Sequence, residues 1–199
     1  TRMFSKLPEL LEKITESNKQ ILAIDEDGEV NFDRLVTQRQ NQYSAFVSIM
    51  RGCDNYCSYC IVPYVRGREF SRSVTDIVDE VKGLVDDGCK EITLLGQNVN
   101  SYGKGLTGKV TLATLLRELD PIEGLERIHF LTSHPKDMTR EILEAVGELP
   151  GVCEYLHMPA QSGSDKILKK MRRQYTSAHY RELVEMAKSI VPGIKLAGD

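Results

Sequence analysis

No apolar run in this 199-residue chain approaches the ~20 residues needed to span a bilayer, so nothing in it reads as a membrane anchor. A charged-then-apolar leader is missing too, and the expected location is cytoplasmic. Nor is there an excess of positive charge. Lys and Arg number 26 against 29 Asp and Glu, a formal net charge of −3, which speaks against a stand-alone nucleic-acid binder but leaves room for a local basic patch. An even set of widely spaced cysteines is lacking as well. There are five, three of them within eight residues, which excludes a disulfide framework and in a reducing compartment points to metal.

What the chain does have is a rhythm. With 41% hydrophobic and 28% charged residues it can build one globular core. Residues 1–42 stand apart: Leu7, Leu10, Leu11 and Ile14 recur at helical spacing, Asp25-Glu26-Asp27-Gly28 marks a turn, and a polar stretch follows. That segment is expected to be a connector or the tail of a missing N-terminal domain. Over 43–199, strands are expected at 45–50, 92–95, 128–131, 155–158 and from Ile194 onward. Between them lie amphipathic helices carrying Ile77, Val78, Val81, Leu84 and Val85, then Leu112, Leu115, Leu116 and Leu119, then Met138, Ile142, Leu143 and Val146, and lastly Tyr180, Leu183, Val184 and Ala187. Ser73 and Asp76 are expected to form a capping box, and Gly88 to end the helix they start. Such alternation implies right-handed crossovers and a parallel sheet. No glycine-rich fingerprint follows the first strand, which disfavours a Rossmann domain. The expected fold is α/β, a partial, open (β/α) barrel truncated after the start of its fifth strand, in a piece of a longer protein.

Reactive residues of parallel α/β folds gather at the carboxyl ends of the strands. Here those ends hold Arg51-Gly52-Cys53-Asp54-Asn55-Tyr56-Cys57-Ser58-Tyr59-Cys60, then Gly96-Gln97-Asn98-Val99-Asn100, then Thr132-Ser133-His134-Pro135, then His157-Met158-Pro159-Ala160-Gln161-Ser162-Gly163. The spacing C-x3-C-x2-C lets one tight loop aim three thiolates at a single centre. On a cubane of four irons they leave one iron open to a substrate. The competing reading is a zinc site with His134 or His157 as fourth ligand. Cys89 and Cys153, alone in apolar surroundings, read as small core residues.

C-x3-C-x2-C after the first strand, with Tyr59 just before the last cysteine, resembles the radical S-adenosylmethionine superfamily. Residues 48–72 (SIMRGCDNYCSYCIVPYVRGREFSR), 96–102 (GQNVNSY), 159–163 (PAQSG) and 171–176 (MRRQYT) are similar to the methylthiotransferases, and within them to the tRNA branch that acts on isopentenylated adenosine beside the anticodon. The resemblance implies a transferase with one 4Fe-4S cluster on Cys53, Cys57 and Cys60 and S-adenosylmethionine at the open iron. It also implies a low-potential electron donor such as a flavodoxin or ferredoxin. The substrate it implies is the anticodon stem-loop of a tRNA, methylthiolated at carbon 2 of the adenine by radical chemistry. A second 4Fe-4S cluster is expected only in the missing N-terminal domain, and the C-terminal RNA-binding domain is expected to be absent. Alternatives are a threonylcarbamoyl-adenosine or ribosomal-protein methylthiotransferase, or a non-catalytic zinc-stabilised nucleic-acid-binding module.

The same resemblance places Tyr59 beside the cofactor, and Gln97 and Asn98 where relatives contact the amino group of S-adenosylmethionine, with hydrogen-bonded loop closure as the alternative. Ser133 and Gln161 share that rim and are weighed between cofactor contact and structural cap. Arg173 is a further cofactor candidate, able to pair with a carboxylate bidentately. Arg173 is weighed against a solvated helix-end arginine. Arg66, Arg68 and Arg72 are candidates for phosphate contact. The glycines at 103–108, with Lys104 and Lys109, read as a mobile loop and not a P-loop, because no G-K-[ST] follows.

Overall fold

The computed structural model describes residues 6–17, 20–23 and 41–198. The chain divides into two compact units, Thr1–Gln38 and Arg39–Asp199. In the first, the leucine spacing forms helix α1 (Leu7–Ser17), none of whose residues is buried. The turn expected at Asp25-Glu26-Asp27-Gly28 lies outside the described residues.

The second unit runs β1 (Ser44–Ser48), β2 (Met50–Arg51), α2 (Val62–Arg66), β3 (Phe70–Ser71), α3 (Val74–Asp86), β4 (Glu91–Leu95), α4 (Leu112–Leu119), β5 (Arg127–Phe130), α5 (Arg140–Glu148), β6 (Tyr155–His157), α6 (Asp165–Lys170), α7 (Ser177–Ile190) and β7 (Lys195–Ala197). β1, β4 and β5 pair in parallel, in register at Val47↔Leu94 and Leu94↔Phe130. β6 and β7 form a second parallel pair, with Leu156 beside Leu196. A parallel bridge from Ile128 to Val152, and a bond from Ser133 N–H to His157 O at 3.1 Å, carry the array from β5 to β6. The five long-range strands thus lie side by side in chain order, the order of a (β/α) barrel, and the array is open.

Period-2 burial explains why. Ile92 and Leu94 of β4, and Ile128 and Phe130 of β5, are buried while their neighbours are not. That face packs on Ile77 and Val81 of α3, Leu115, Leu116 and Leu119 of α4, Leu143 and Val146 of α5, and Leu183 and Ala187 of α7. Each such side chain contributes roughly 1.5–3 kcal/mol on burial. The opposite face is left open, with Phe46 74% exposed.

Helix starts follow the expected chemistry with one correction. Ser73 Oγ accepts from Asp76 N–H at 3.1 Å, but the reciprocal bond that would complete a box is made instead at α4, between Thr111 and Thr114. Aspartate is one methylene shorter than the glutamate that usually reaches back. Cys89 is fully buried as expected, whereas Cys153 is only half-buried, its Sγ 3.3 Å from His129 Nε2. The short elements α2, α6, β2 and β3 had no periodicity to announce them. Met138 precedes α5 and does not belong to it.

Candidate functional site

β1 delivers the chain through β2 to Gly52, whose φ is +79°. A Cβ there would stand 2.0 Å from Arg68 O, so only glycine lets the two ends of the cysteine loop meet. Cys53 N–H closes the loop on Gly67 O at 3.2 Å, and Gly52 N–H donates to Gln97 Oε1 at 2.7 Å, tying the loop to the end of β4. Gln97 is therefore engaged in loop closure through its carbonyl oxygen. On the far side Ser58 bonds to the exit of α6, through N–H to Met171 O at 3.0 Å and through Oγ to Lys170 O at 2.9 Å.

All three loop cysteines are free. Cys57 is buried, while Cys53 and Cys60 are half-buried. Burial foremost pushes the Cys53 thiol up. Arg173 is 6% exposed and no carboxylate pairs with it among the described residues. Its Nη1 faces Cys57 Sγ at 3.6 Å and Tyr59 OH at 3.3 Å, its Nε donates to Tyr175 OH at 3.3 Å, and its Nη2 to Pro159 O at 3.4 Å. The guanidinium also lies 5.3 Å from the centre of the Tyr175 ring. It is not the solvated arginine of the competing expectation. A buried cation whose partners are a sulfur and neutral oxygens calls for an anion, and Cys57 as a thiolate would supply one.

A second feature marks the same rim. Asn55 Nδ2, Asn98 Oδ1, Ser133 Oγ and His134 Nε2 are buried without a hydrogen-bond partner, on residues each less than a tenth exposed. Buried polar atoms are ordinarily satisfied, so four orphans on the cysteine loop and the ends of β4 and β5 leave donors and an acceptor for a polar ligand. Their other atoms are fixed. Asn98 Nδ2 donates to Asp137 Oδ2 at 2.7 Å, Asn55 Oδ1 accepts from Lys136 Nζ, and His134 Nδ1 accepts from Lys136 N–H at 3.1 Å. Asn100, buried beside them, donates to His134 O and accepts from His134 N–H. Of the five non-glycine residues with positive φ among the described residues, Tyr56, Thr132 and Gln161 lie on these rim segments, and Arg172 and Gln174 flank Arg173. Backbone strain of this kind collects at functional sites. Gln161 is half-buried and Tyr59 half-exposed. Asn55, Lys136, Asp137, Asn100 and Tyr175 were not singled out in the sequence, where only proximity to the cysteines and strand ends pointed at them.

His134 is neutral. Burial, then the nearby Arg173 and Lys136 charges, outweigh Asp137 and bring its pKa down to about 3. Above the ordinary value near 6.5 both folded and unfolded chains hold it neutral; below it the unfolded chain takes the proton first, so stability falls with pH through that window. Its share of the loss between about pH 7.5 and pH 5.5 is about 1.4 kcal/mol. Urea unfolding at the two pH values is expected to show that loss, and His134→Gln to remove it from the slope. An unchanged slope in the variant would refute the assignment.

The segment after β4 is not free at its start. Tyr102 OH donates to Arg72 O at 2.8 Å, and Gly103 N–H to Ser71 Oγ at 3.1 Å. Lys104 Nζ then reaches Glu69 Oε2 at 2.9 Å and Asp54 Oδ2 at 3.2 Å. Although burial opposes it, bonds from Lys104 and Arg68 hold the Asp54 carboxyl below the usual range. Arg68 is thus paired with Asp54 on the cysteine loop, and Arg72 is buried against Glu80 of α3 at 2.6 Å, so two of the three expected phosphate arginines are taken up by the fold. Lys104→Met would leave the nearly buried Glu69 carboxylate short of its cation. Urea denaturation should show a loss of roughly 1–3 kcal/mol, largely restored in Lys104→Arg.

Among the described residues, no three His, Cys, Asp or Glu side chains converge as a single ion requires. Tetrahedral zinc–sulfur bonds of ~2.3 Å would draw sulfurs to about 3.8 Å apart. His134 and His157, the candidate fourth ligands, each have Nδ1 engaged by a backbone N–H. Neither histidine is thereby offered as a fourth ligand beside the three thiols.

Comparison with known proteins agrees with this geometry. The sequence pattern of the Radical SAM superfamily matches residues 47–197. A tRNA-2-methylthio-N(6)-dimethylallyladenosine synthase of Clostridioides difficile (strain 630) is 50% identical over 200 residues, spanning 100% of this chain and 42% of that protein. The synthase of the same name from Thermoanaerobacter pseudethanolicus is also 50% identical, over 100% of this chain and 42% of that protein. The chain therefore spans about two fifths of the length of these relatives. Among solved structures, the radical S-adenosylmethionine methyltransferase TsrM from Kitasatospora setae superimposes with a TM-score of 0.60 at 19% identity, over 78% of this chain and 29% of that one, a likeness of fold. A superfamily pattern that begins in β1, crosses the cysteine loop and ends in β7 leaves one assignment: the chain belongs to the radical SAM superfamily.

Proposed function

We propose that this chain is the radical-generating core of a tRNA methylthiotransferase, with Cys53, Cys57 and Cys60 holding one 4Fe-4S cluster whose fourth iron takes S-adenosylmethionine. The observation that carries the reading is the buried, carboxylate-free Arg173 against Cys57 Sγ, beside four orphaned polar atoms on the same rim. When bound, the cluster supplies the electron that cleaves S-adenosylmethionine. The protein's own part is to bind and orient. Asn55 Nδ2 and His134 Nε2–H are donors suited to the cofactor's carboxylate or ribose oxygens, and Asn98 Oδ1 is an acceptor suited to its ammonium. Ser133 Oγ serves either role. Gln97 acts by holding the loop, and Gln161 and Tyr59 flank the opening. Because His134 stays neutral, its Nε2 keeps its proton across the physiological range.

The identity with the two synthases supports isopentenylated adenosine beside the anticodon as the substrate. In this reading residues 1–42 are a connector and 43–199 the core. The sulfur-donating second cluster and the RNA-gripping domain belong to the part of the relatives' length that this chain does not span. No helix among the described residues is long and apolar enough to cross a membrane, in keeping with a cytoplasmic tRNA enzyme.

The test uses an anticodon stem-loop whose isopentenyl-adenosine carries deuterium at carbon 2. With reduced, reconstituted protein and S-adenosylmethionine, deuterium is expected in the 5′-deoxyadenosine formed. Deuterium transfer from a matching stem-loop carrying threonylcarbamoyl-adenosine, with none from the isopentenylated one, would move the substrate to that branch.

A further inference from the structure

Burying a guanidinium without a carboxylate is unfavourable, and the backbone around Arg173 is bent to do it. The N–H of Arg173 closes the end of α6 on Leu168 O at 3.0 Å, and Arg172 and Gln174 on either side both take a φ of +58°. Those two neighbours are exposed while Arg173 is buried, so the left-handed residues turn one side chain of the run inward. Strain of this kind persists only where the surroundings over-determine it. Packing alone does not call for a charge at this position.

All three guanidinium nitrogens are engaged: Nε with Tyr175 OH, Nη2 with Pro159 O, and Nη1 with Tyr59 OH and with Cys57 Sγ at 3.6 Å. Tyr175 is itself fixed, donating to Ala160 O at 2.6 Å and packing edge to face on His134 at 5.6 Å. The fork is thus held in place with one edge on the sulfur. A cofactor carboxylate would have to displace one of these bonds, whereas the orphaned atoms of Asn55, Asn98, Ser133 and His134 are unengaged. At the other end of the loop charge is already matched, since Asp54 and Glu69 pair with Arg68 and Lys104. Arg173 leaves its positive charge unbalanced at Cys57.

We infer that Arg173, acting through Cys57, raises the reduction potential of the cluster proposed above, and the inference rests on that cluster. Each electron added makes such a group more negative by one charge, and no proton moves because the guanidinium is charged throughout. A fixed, buried cation within hydrogen-bond range of a ligand sulfur favours the more negative state. Net charge and hydrogen bonds at the sulfurs are the means by which a protein sets such a potential. Arg173 is in this sense a positioning residue, working on the sulfur and not on a substrate.

The measurement is an anaerobic redox titration of the reconstituted chain followed by electron paramagnetic resonance, with reduced viologen dyes as the one-electron donors. In R173Q the ratio of reduced to oxidised cluster at a fixed potential is expected to fall roughly ten-fold, a midpoint lower by about 59 mV. R173K keeps a charge but not the fork, and should fall in the same direction by less. K170Q removes an exposed charge at the end of α6, where water and salt screen it, and should leave the midpoint unchanged. If R173Q loads too little iron to titrate, R173K decides: a lower midpoint supports the proposal and an unchanged one overturns it. Unchanged midpoints in both variants would overturn it, and lost S-adenosylmethionine binding alongside them would give the guanidinium to the cofactor. A shift as large in K170Q as in R173Q would overturn it too, since any nearby charge would then serve. Failure of the unsubstituted chain to take up iron and sulfide would instead refute the cluster on which the proposal stands.

Discussion

Cys57→Ala, reconstituted anaerobically with iron and sulfide, is expected to retain less than about a tenth of the iron bound by the unsubstituted chain. The expectation is strongest at this cysteine because its sulfur is the buried one and faces the Arg173 guanidinium. Removing it deletes a ligand and strands a buried cation, so a stability loss of roughly 3–5 kcal/mol should accompany the loss of iron. Cys53→Ala and Cys60→Ala delete ligands on the same loop without stranding the arginine, and should lose iron with a smaller effect on the urea midpoint. Cys89→Ala and Cys153→Ala are the controls. Cys89 Sγ touches the carbonyls of Tyr43 and Glu91, and Cys153 lies by His129, both away from the loop, so iron content should be unchanged. Iron retained in Cys57→Ala but lost in Cys153→Ala would relocate the centre.

Gly52→Ala should be nearly as damaging although it leaves every cysteine in place. The new Cβ would meet Arg68 O at 2.0 Å, Arg68 C at 2.5 Å and Gly67 O at 2.6 Å, all backbone atoms that cannot swing aside. A positive φ adds strain of order 1–3 kcal/mol. The loop must open to relieve the clash, parting Cys53 N–H from Gly67 O and Gly52 N–H from Gln97, and iron loading is expected to fall with it. Gly105→Ala is the companion variant. Its φ of +86° is similar, but nothing lies within 4 Å of the added Cβ, so it should cost only about 1 kcal/mol and load normally. Equal effects at the two glycines would mean that backbone strain, not loop closure, is what matters at Gly52.

The parts of the fold that were legible beforehand are those where burial imposes a period. Ile92 and Leu94 announce a strand, and Leu112, Leu115, Leu116 and Leu119 a helix, because one face of each must meet the core. A six-residue helix such as α6 buries only Leu168, and a two-strand ladder such as β2–β3 only Met50 and Ser71, too few positions for a pattern to show. The site divides along the same physical line. Three cysteines on one loop are visible because their spacing is local. Arg173 reads equally well as a surface residue until Tyr175, Pro159 and the cysteine loop close around it, contacts separated by up to 116 positions in the chain. Arg72 reads as a surface cation too, until α3 folds and brings Glu80 against it. The orphaned atoms of Asn55, Asn98, Ser133 and His134 are a property of packing alone, and no residue pattern predicts them.

The proposed cluster at the rim, on three cysteines with one iron open to S-adenosylmethionine, is open to direct measurement. The most direct measurement is metal and acid-labile sulfide content of anaerobically reconstituted protein, paired with electron paramagnetic resonance of the reduced sample before and after adding S-adenosylmethionine. The expected result is about four irons and four sulfides per chain, and a spectrum that shifts when S-adenosylmethionine binds. One zinc per chain with no sulfide would contradict it, as would a full cluster whose spectrum ignores S-adenosylmethionine.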